Sequence, residues 1–530
     1  HGANVVLKTI NGGISWEPIS PDLTRNEKSK QGPGGMPFTN EGAGGENYNT
    51  LFYLTESALE KGVIWTGSDC GFVHVTMDGG KTWNNVTPAG LPEAQINSIE
   101  LSAFDKGTAY IAATRYKFND YAAYAFKTTD YGKTWTPINN GIKEDDFLKV
   151  IREDRKNKNL LYGGSERGFY LSTDGGQHWQ SFQRNLPVVP VTDLMIRDND
   201  LVAATAGRAF WILDDLGAIQ QYVAEAALPR LITPKPGYKM GGGAGLPEDK
   251  YSAGQNAPDG IILDYFLPEV HDSITVKLTI SDASGKVVRT FSNKKDEGYV
   301  RYPGGPAPAA LLPAAKGHNR FLWDYRTAAP TPDVKGVYIF GDYRGYALAP
   351  GTYTARLDAG TTSSSAELVL LANPKIKASA AEWEEQQQML AEMTSTISAI
   401  HQQVNDLRKV KKQLQHHADV FKEVANAAKV VEEAKKLIKD IDGWESNIVE
   451  SRIQNGQDVI NWPSKLNAEL FFIKGLADAA DPRITQGIKT RYADLLTQWK
   501  LEKEKLQQLK NAIVTYNQLY KSQGMEGIVL

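Results

Sequence analysis

Through the first 222 residues the chain alternates apolar and polar positions in short segments, each closed by a turn rich in Gly, Asp or Asn. That period of two predicts strands. One unit places strands at 96–103, 108–114, 124–128 and 134–138. The next places them at 147–152, 160–164, 168–172 and 178–182, and three more follow at 191–196, 201–205 and 208–213. From 259 to 372 the alternation resumes, at 261–266, 274–281, 287–291, 319–324 and 351–357, with a hairpin turn at Asp282-Ala283-Ser284-Gly285. Beyond residue 379 the period lengthens. Trp383, Leu390, Ile397, Val404, Leu407 and Leu414 form one stripe. Tyr492, Leu495, Trp499, Leu506, Leu509, Ile513, Tyr516 and Tyr520 form another. Steps of three, four and seven predict long amphipathic helices packed on one another. Segments 420–448 and 466–477 read as further helices, with breaks at Pro463 and Asp481-Pro482.

An internal repeat gives the first region its architecture. Thr76-Met77-Asp78-Gly79-Gly80-Lys81-Thr82-Trp83 recurs around Asp130 and Trp135, and again around Asp174 and Trp179. A fourth copy around Asn11 and Trp16 has Asn in place of Asp. Asp accepts hydrogen bonds from its own turn, Gly supplies a positive φ, and Trp buries a large apolar face. The Asp-to-Asp steps of 52 and 44 residues match one four-stranded blade of a propeller, ~40–50 residues. The boxes are read as structural. The blades fall at 49–87, 96–138, 147–183 and 191–222, with no box expected in the last, after a half blade at Asn11. The expected fold is multidomain, mainly β and then α. It comprises a partial Asp-box β-propeller (1–222), a Pro- and Gly-rich linker (223–258), a β-sandwich of the immunoglobulin or fibronectin kind (259–372) and a C-terminal antiparallel helix bundle (373–530).

Boxes sit on the connections between third and fourth strands. Loops joining second to third strands therefore gather on the opposite rim, and loops on a rigid scaffold carry function. That rim presents Asp69, Arg115, Glu166, Arg167 and Arg208 as ligand-binding candidates, with Cys70, Asp120, Glu144, Asp145 and Asp146 nearby. Arginines suit planar or paired oxygens. Glycoside hydrolysis needs two facing carboxylates, and the spacing does not say which acids face one another. No catalytic pair is assigned.

Composition narrows the classes. A net charge of −3 and the lack of a basic patch speak against nucleic acid. The single Cys70 excludes an intramolecular disulfide. No apolar run reaches membrane-spanning length, so direct membrane insertion is not expected. No metal or cofactor motif occurs: His416-His417 diverge on a helix, and neither His-Glu-x-x-His nor Cys-x-x-Cys is present. Asn85-Val86-Thr87 fits a glycosylation sequon but follows a box and reads as strand and turn. The Lys-rich stretches of the helical region read as solvated faces.

The order of these modules resembles a bacterial family of sortilin-like or Asp-box glycosyl hydrolase-like proteins. The resemblance rests on residues 18–25, 63–67, 124–135, 165–168 and 207–215 and on the helical tail. It departs at Ala206, where the family usually shows His, and at Cys70, where Asp is common. It implies an extracytoplasmic protein (periplasmic, cell-surface or secreted) that binds a glycan or peptide. The alternative is a glycoside hydrolase whose carboxylates lie partly in N-terminal blades absent from this chain. Family members are longer at the N-terminus. The half blade at Asn11 is thus expected to be completed by a missing N-terminal segment or another chain.

Overall fold

The computed structural model describes residues 2–31, 48–222, 228–240, 258–271, 273–424 and 427–522. The chain forms two compact units, His1–Tyr222 and Val223–Leu530. It is mainly β and then α.

The first unit is a partial propeller, a fan of antiparallel sheets. A two-stranded sheet, β1 (Leu7–Lys8) and β2 (Glu17–Pro18), comes first. Three four-stranded sheets follow. The first has β3 (Leu51–Glu56), β4 (Ile64–Ser68), β5 (Val73–Thr76) and β6 (Asn84–Asn85). The next has β7 (Gln95–Leu101), β8 (Ala109–Arg115), β9 (Asp120–Thr128) and β10 (Thr136–Pro137). The last of the three has β11 (Leu148–Glu153), β12 (Leu161–Ser165), β13 (Phe169–Ser172) and β14 (Gln180–Ser181). A three-stranded sheet of β15 (Val191–Arg197), β16 (Asp200–Thr205) and β17 (Phe210–Leu213) ends the fan, followed by the short helix α1 (Gly217–Gln220). First strands pack on one another in succession, β3 on β7, β7 on β11 and β11 on β15. They therefore lie innermost, and the two-residue fourth strands lie outermost.

The boxes explain how sheet follows sheet. Asp78 Oδ1 accepts from the Lys81 and Thr82 N–H groups, and Oδ2 accepts from the Thr82 hydroxyl. Asp130 receives the same pair of donors from Thr134, Asp174 accepts from His178 N–H, and Asn11 accepts from Ser15 N–H. The Thr82 N–H and hydroxyl hold the Asp78 carboxyl down to about 2, and the Thr134 hydroxyl and N–H do the same for Asp130. Each turn aims its Trp at the preceding sheet. The indole N–H donates to Ile19 O from Trp83 (2.9 Å), to Val86 O from Trp135 (2.7 Å) and to Ile138 O from Trp179 (2.7 Å). Every acceptor stands three residues beyond the previous box's Trp. The second glycine of the box completes this clasp. A Cβ on Gly80 would lie 2.7 Å from Ile19 O, and one on Gly132 2.7 Å from Val86 Cβ, both at positive φ.

The two ends of the fan differ from its middle. Trp16 donates to Gly13 O within its own turn and is 47% exposed, beside exposed Ile10 and Ile14. At the other end the sequence stops showing a box, yet a box-like turn is present. Leu216 N–H donates to Asn199 O, as Gly175 N–H does to Asn159 O one sheet earlier. A fourth strand is replaced by α1, whose Gln220 amide donates to Asp154 Oδ2. Met195, Phe210 and Ile212 of this last sheet are exposed.

The second unit joins a sandwich to helices. One sheet comprises β18 (Arg230–Leu231), β20 (Ile261–Leu267) and β23 (Gly317–Trp323). The other comprises β19 (Gly237–Lys239), β21 (Val276–Ser281), β22 (Val287–Ser292), β24 (Gly351–Ala359) and β25 (Thr362–Ala372). Thus β18 and β19 arise within the stretch expected as a linker, because their backbones pair with Phe266–Tyr265 and Leu370–Ala372. The glycine run 241–243 lies outside the described residues. Buried Leu263, Tyr265, Leu278, Trp323, Leu357 and Leu368 make the sandwich core. The helices are α2 (Ala380–Val420), α3 (Ala428–Ile448), α4 (Leu466–Ala477) and α5 (Gln486–Ser522). Ser379 and Glu382 form a capping box that starts α2. The apolar stripe of α5 is buried, as is that of α2 from Leu390 onward. Val334, Val337, Ile339 and Tyr343, from the loop after β23, belong to the helical core. Asp478 accepts from Arg326 and from Ala347 N–H, and Lys474 donates to Arg344 O. These contacts make one unit of sandwich and helices.

Two outcomes test this packing. Trp135→Phe, which removes the clasp to Val86, is expected to lower unfolding stability by ~1–3 kcal/mol. Trp16→Phe is expected to change it little in the same denaturant titration, and equal losses would contradict the clasp. In the second unit His401 is buried, with Nδ1 on Pro332 O and Nε2 on the Asn467 amide. Burial pushes its pKa down to about 4 from 6.5. A histidine lowered on folding contributes stability above its unfolded pKa that is lost as pH falls. The melting temperature of this unit should therefore drop between pH 6.5 and 4, by an amount on the order of 3 kcal/mol in stability. A flat profile over that window would refute the assignment.

Candidate functional site

The turns joining second to third strands repeat one geometry. Ser68 N–H donates to Phe72 O, Ser165 N–H to Gly168 O, and Thr205 N–H to Ala209 O. The next residue, respectively Asp69, Glu166 or Ala206, then donates its N–H to Thr50 O, Phe147 O or Pro190 O. So Asp69 and Glu166 start equivalent turns, and Ala206 occupies the same place without a polar side chain. Asp69 accepts from Asn49 N–H, Thr50 N–H and the Thr50 hydroxyl, and burial raises its pKa against these donors.

The third sheet departs from this pattern. Its turn is longer, a 3-10 turn at Tyr116–Phe118 ended by Asn119 in the left-handed region. Arg115 holds its base. The guanidinium pairs with Asp120, Nε donates to Glu93 O (2.9 Å), and the group lies over the Phe118 and Tyr124 rings. Tyr116 stacks on Phe147 of the next sheet at 5.6 Å and 9°, and Tyr121 stacks on the same ring at 6.3 Å and 30°. Phe147 is buried, whereas Tyr116 is 39% exposed and Tyr121 48%. Lys149 reaches over Phe147 and pairs with Glu166 at 2.6 Å. The result is an aromatic platform between two sheets, with ion pairs at its margins.

The expected rim residues are distributed around this platform. Arg115 and Glu166 flank it. Asp69 feels the charge of Lys117, in the 3-10 turn, at a distance. Arg167 follows Glu166 in the chain, but its side chain turns to Asp145 (2.5 Å), while its N–H donates to Asp146. Arg208 donates to Gly207 O. No hydrogen bond or ion pair joins Arg208 to the other four among the described residues. The three guanidinium groups thus have three separate partners. Tyr116, Tyr121, Phe147 and Lys149 were not anticipated. Their signal was a long turn with aromatics on both sides of Asn119, in the one blade where the turn lengthens.

A second cluster, also not anticipated, lies on the innermost strands. Arg152 of β11 places Nη2 2.7 Å from Asp193 of β15, and Nη1 3.7 Å from Glu100 of β7. Its Nε donates to Leu194 O. Tyr53 of β3 lies within reach of the same guanidinium. Four successive sheets therefore send a polar group to one place. Burial pushes the Glu100 carboxyl up to about 7, against the pull of Arg152 and Arg155. Glu153, on the same stretch, is saturated by the Ser102 hydroxyl, Ala103 N–H and Tyr110 hydroxyl. The available clue was a charged residue, Glu100, Arg152 or Asp193, in each of three successive first strands.

Among the described residues no group of His, Cys, Asp and Glu could hold a metal ion. No helix there is long and apolar enough to cross a membrane.

Replacing Arg115 with Met is expected to loosen the turn it braces. Amide hydrogen exchange at 116–122 should rise at least severalfold while the melting temperature moves little. Unchanged exchange there would show that the aromatic stack alone fixes the turn.

Residues 71–193 match the family model described as sortilin, neurotensin receptor 3. This is consistent with a sortilin-like, Asp-box propeller family. No curated protein matches the chain. Among solved structures, one described as YCF48 bound to D1 peptide is similar at 18% identity, over 29% of this chain and 48% of that one, with a TM-score of 0.24. YCF48 from Cyanidioschyzon merolae is similar at 15% identity, over 42% and 67%, with a TM-score of 0.25. The GH74 enzyme of Niastella koreensis is similar at 12% identity, over 68% and 50%, with a TM-score of 0.31. In the first and third of these the match spans about half of the solved chain.

Proposed function

For a chain whose residues 71–193 are of the sortilin-like, Asp-box type, we propose ligand binding as the function. The protein is an extracytoplasmic propeller that takes a glycan or peptide on the rim opposite its boxes. One observation carries this reading: two exposed tyrosines, Tyr116 and Tyr121, are held face-on by a buried Phe147. Solvent-exposed rings fixed at such a platform offer flat apolar area with a polar edge, suited to a sugar face or an extended backbone. Arg167 and Lys117 supply cations beside it, and Arg167, half of an exposed pair, has little to lose by exchanging Asp145 for a ligand oxygen.

A second reading has its own support. Glu100 and Asp193 flank the Arg152 guanidinium, and Glu100 has a pKa near neutrality. A carboxyl whose pKa is raised by burial, set near a second carboxyl, is the pairing that a glycoside hydrolase uses. On this reading the remaining site residues lie in further blades. In both readings, more polypeptide covers the apolar ends of the fan at Met195, Phe210 and Ile212 and at Ile10 and Ile14. It is an N-terminal segment or another chain. Cysteines introduced at Met195 or Ile212 should react quickly with a thiol reagent in residues 1–530 and slowly once that polypeptide is present. Fast reaction in both would remove this part of the proposal.

The functional test is a screen of the protein against glycan and peptide arrays, with hydrolysis followed in parallel. Tyr116→Ala combined with Tyr121→Ala is expected to weaken the ligand found by at least tenfold at unchanged melting temperature. Arg167→Ala is expected to abolish binding. Full affinity in both variants would move the binding face elsewhere. Hydrolysis that disappears in Glu100→Gln would favour the second reading over the first.

A further inference from the structure

The second unit carries a cleft of about 1100 Å³ between α2, α3 and the segment that leads into α4. Its walls hold seven lysines and arginines against four carboxylates. The carboxylates are each neutralised at short range. Arg408 takes Glu445 (2.6 Å), Arg452 takes Glu450 (2.7 Å), Lys335 takes Asp333 (3.1 Å), and Lys411 takes Asp442. Three ammonium groups remain beyond these four pairs. Lys409 reaches only Asp406, at 3.3 Å, with most of its side chain in solvent. Lys412 makes no ion pair among the described residues, and Lys465 acts on Glu450 only at a distance. The run Arg408-Lys409-Val410-Lys411-Lys412 reads in sequence as a solvated helix face. In the fold Val410 is buried and the four cations line one cavity.

We infer that this cleft binds an acidic oligosaccharide. The cationic surplus suits an anionic ligand. Lysine ammonium groups and arginine forks suit carboxylate or sulfate oxygens. The neutral lining sets the remainder of the ligand. Gln415 and Asn447 offer amides and Ser451 a hydroxyl, while Gln402, Asn405 and Ser446 already donate to Asp406, Asp333 O and Gly443 O and offer their oxygens. Such groups pair with sugar hydroxyls. Among the described residues, aromatic rings are absent from the lining and its apolar side chains are Pro332 and Val449. Nucleobases need stacking partners, and a peptide needs apolar pockets for its side chains, so the wall favours a hydroxylated chain over either. The volume lies at the upper limit of small-molecule sites, ~300–1,000 Å³, which suits several linked sugars. This site is independent of the propeller rim, and the two proposals stand or fall separately.

The test uses the full chain and calorimetric titration with four probes: polygalacturonate, dextran sulfate, neutral dextran and polyglutamate. At least one of the first two is expected to bind, and comparing them tells carboxylate from sulfate. Neutral dextran and polyglutamate should bind at least tenfold more weakly. Affinity should fall as salt is raised. Lys412→Glu with Lys465→Glu should weaken binding at least tenfold, whereas Lys412→Arg with Lys465→Arg retains it. Circular dichroism checks that the helices persist. Should the double charge reversal fail to fold, the single Lys412→Gln variant is expected to show a smaller loss in the same direction. Failure of both acidic glycans to bind would overturn the proposal. So would equal binding of polyglutamate, or wild-type affinity in the charge-reversed protein.

Discussion

A single indole N–H, repeated in each of the three four-stranded sheets, sets the geometry in the middle of the first unit. Trp83, Trp135 and Trp179 each reach back to a carbonyl of the sheet before, three residues past that sheet's own Trp position. The box around each Trp exists to make this reach possible. Its acid gathers the turn, and at Gly80 and Gly132 its second glycine lets the preceding chain approach to a distance that no Cβ would allow. A sheet thus acquires its place from the one before it, and the order of sheets in space follows their order in sequence.

The consequences for chemistry appear at the two extremes of the radius. On the inside, the first strands are brought close enough for one arginine to meet acids from the sheets on both sides, at Glu100, Arg152 and Asp193. At the rim, the clasp brings the long turn of one sheet over Phe147 of the next, so that Tyr116 and Tyr121 are fixed although they face solvent. Neither arrangement exists within a single blade. The second unit reaches its rigidity differently. A loop of the sandwich enters the helical core, and Asp478 anchors it through Arg326 and the Ala347 N–H.

What the sequence made legible was whatever repeats. Four boxes, and stripes such as Leu495, Trp499, Leu506 and Ile513, announce sheets and helices because the same short-range physics recurs at fixed intervals. Features made by distant pairs were opaque. The acceptor for Trp83 is the Ile19 carbonyl, 64 residues away, and a carbonyl has no letter in the sequence. The box-like turn at Leu216 keeps its hydrogen bond to Asn199 O after losing its Trp, so the motif vanished while the geometry stayed. Strands β18 and β19 lie in a Pro-rich stretch that reads as linker. They pair with Phe266 and Leu370, partners that composition does not reveal. The candidate rim was located by counting strands. Its aromatic content is not legible that way, because Tyr116 and Tyr121 meet Phe147 across two sheets, and most of the rim charges already have protein partners.

Each four-stranded sheet of the first unit is fixed by its clasp to the preceding sheet. Hydrogen exchange on Gly132→Val tests it most directly. At this position a side chain would strike Val86 and force a strained φ of +82°. Exchange should rise at 84–87 and 128–137, on both sides of that one boundary, while 161–181 and the helices of the second unit keep their protection. Uniform loosening of the first unit, or no change at 84–87, would show that the clasp does not fix this boundary.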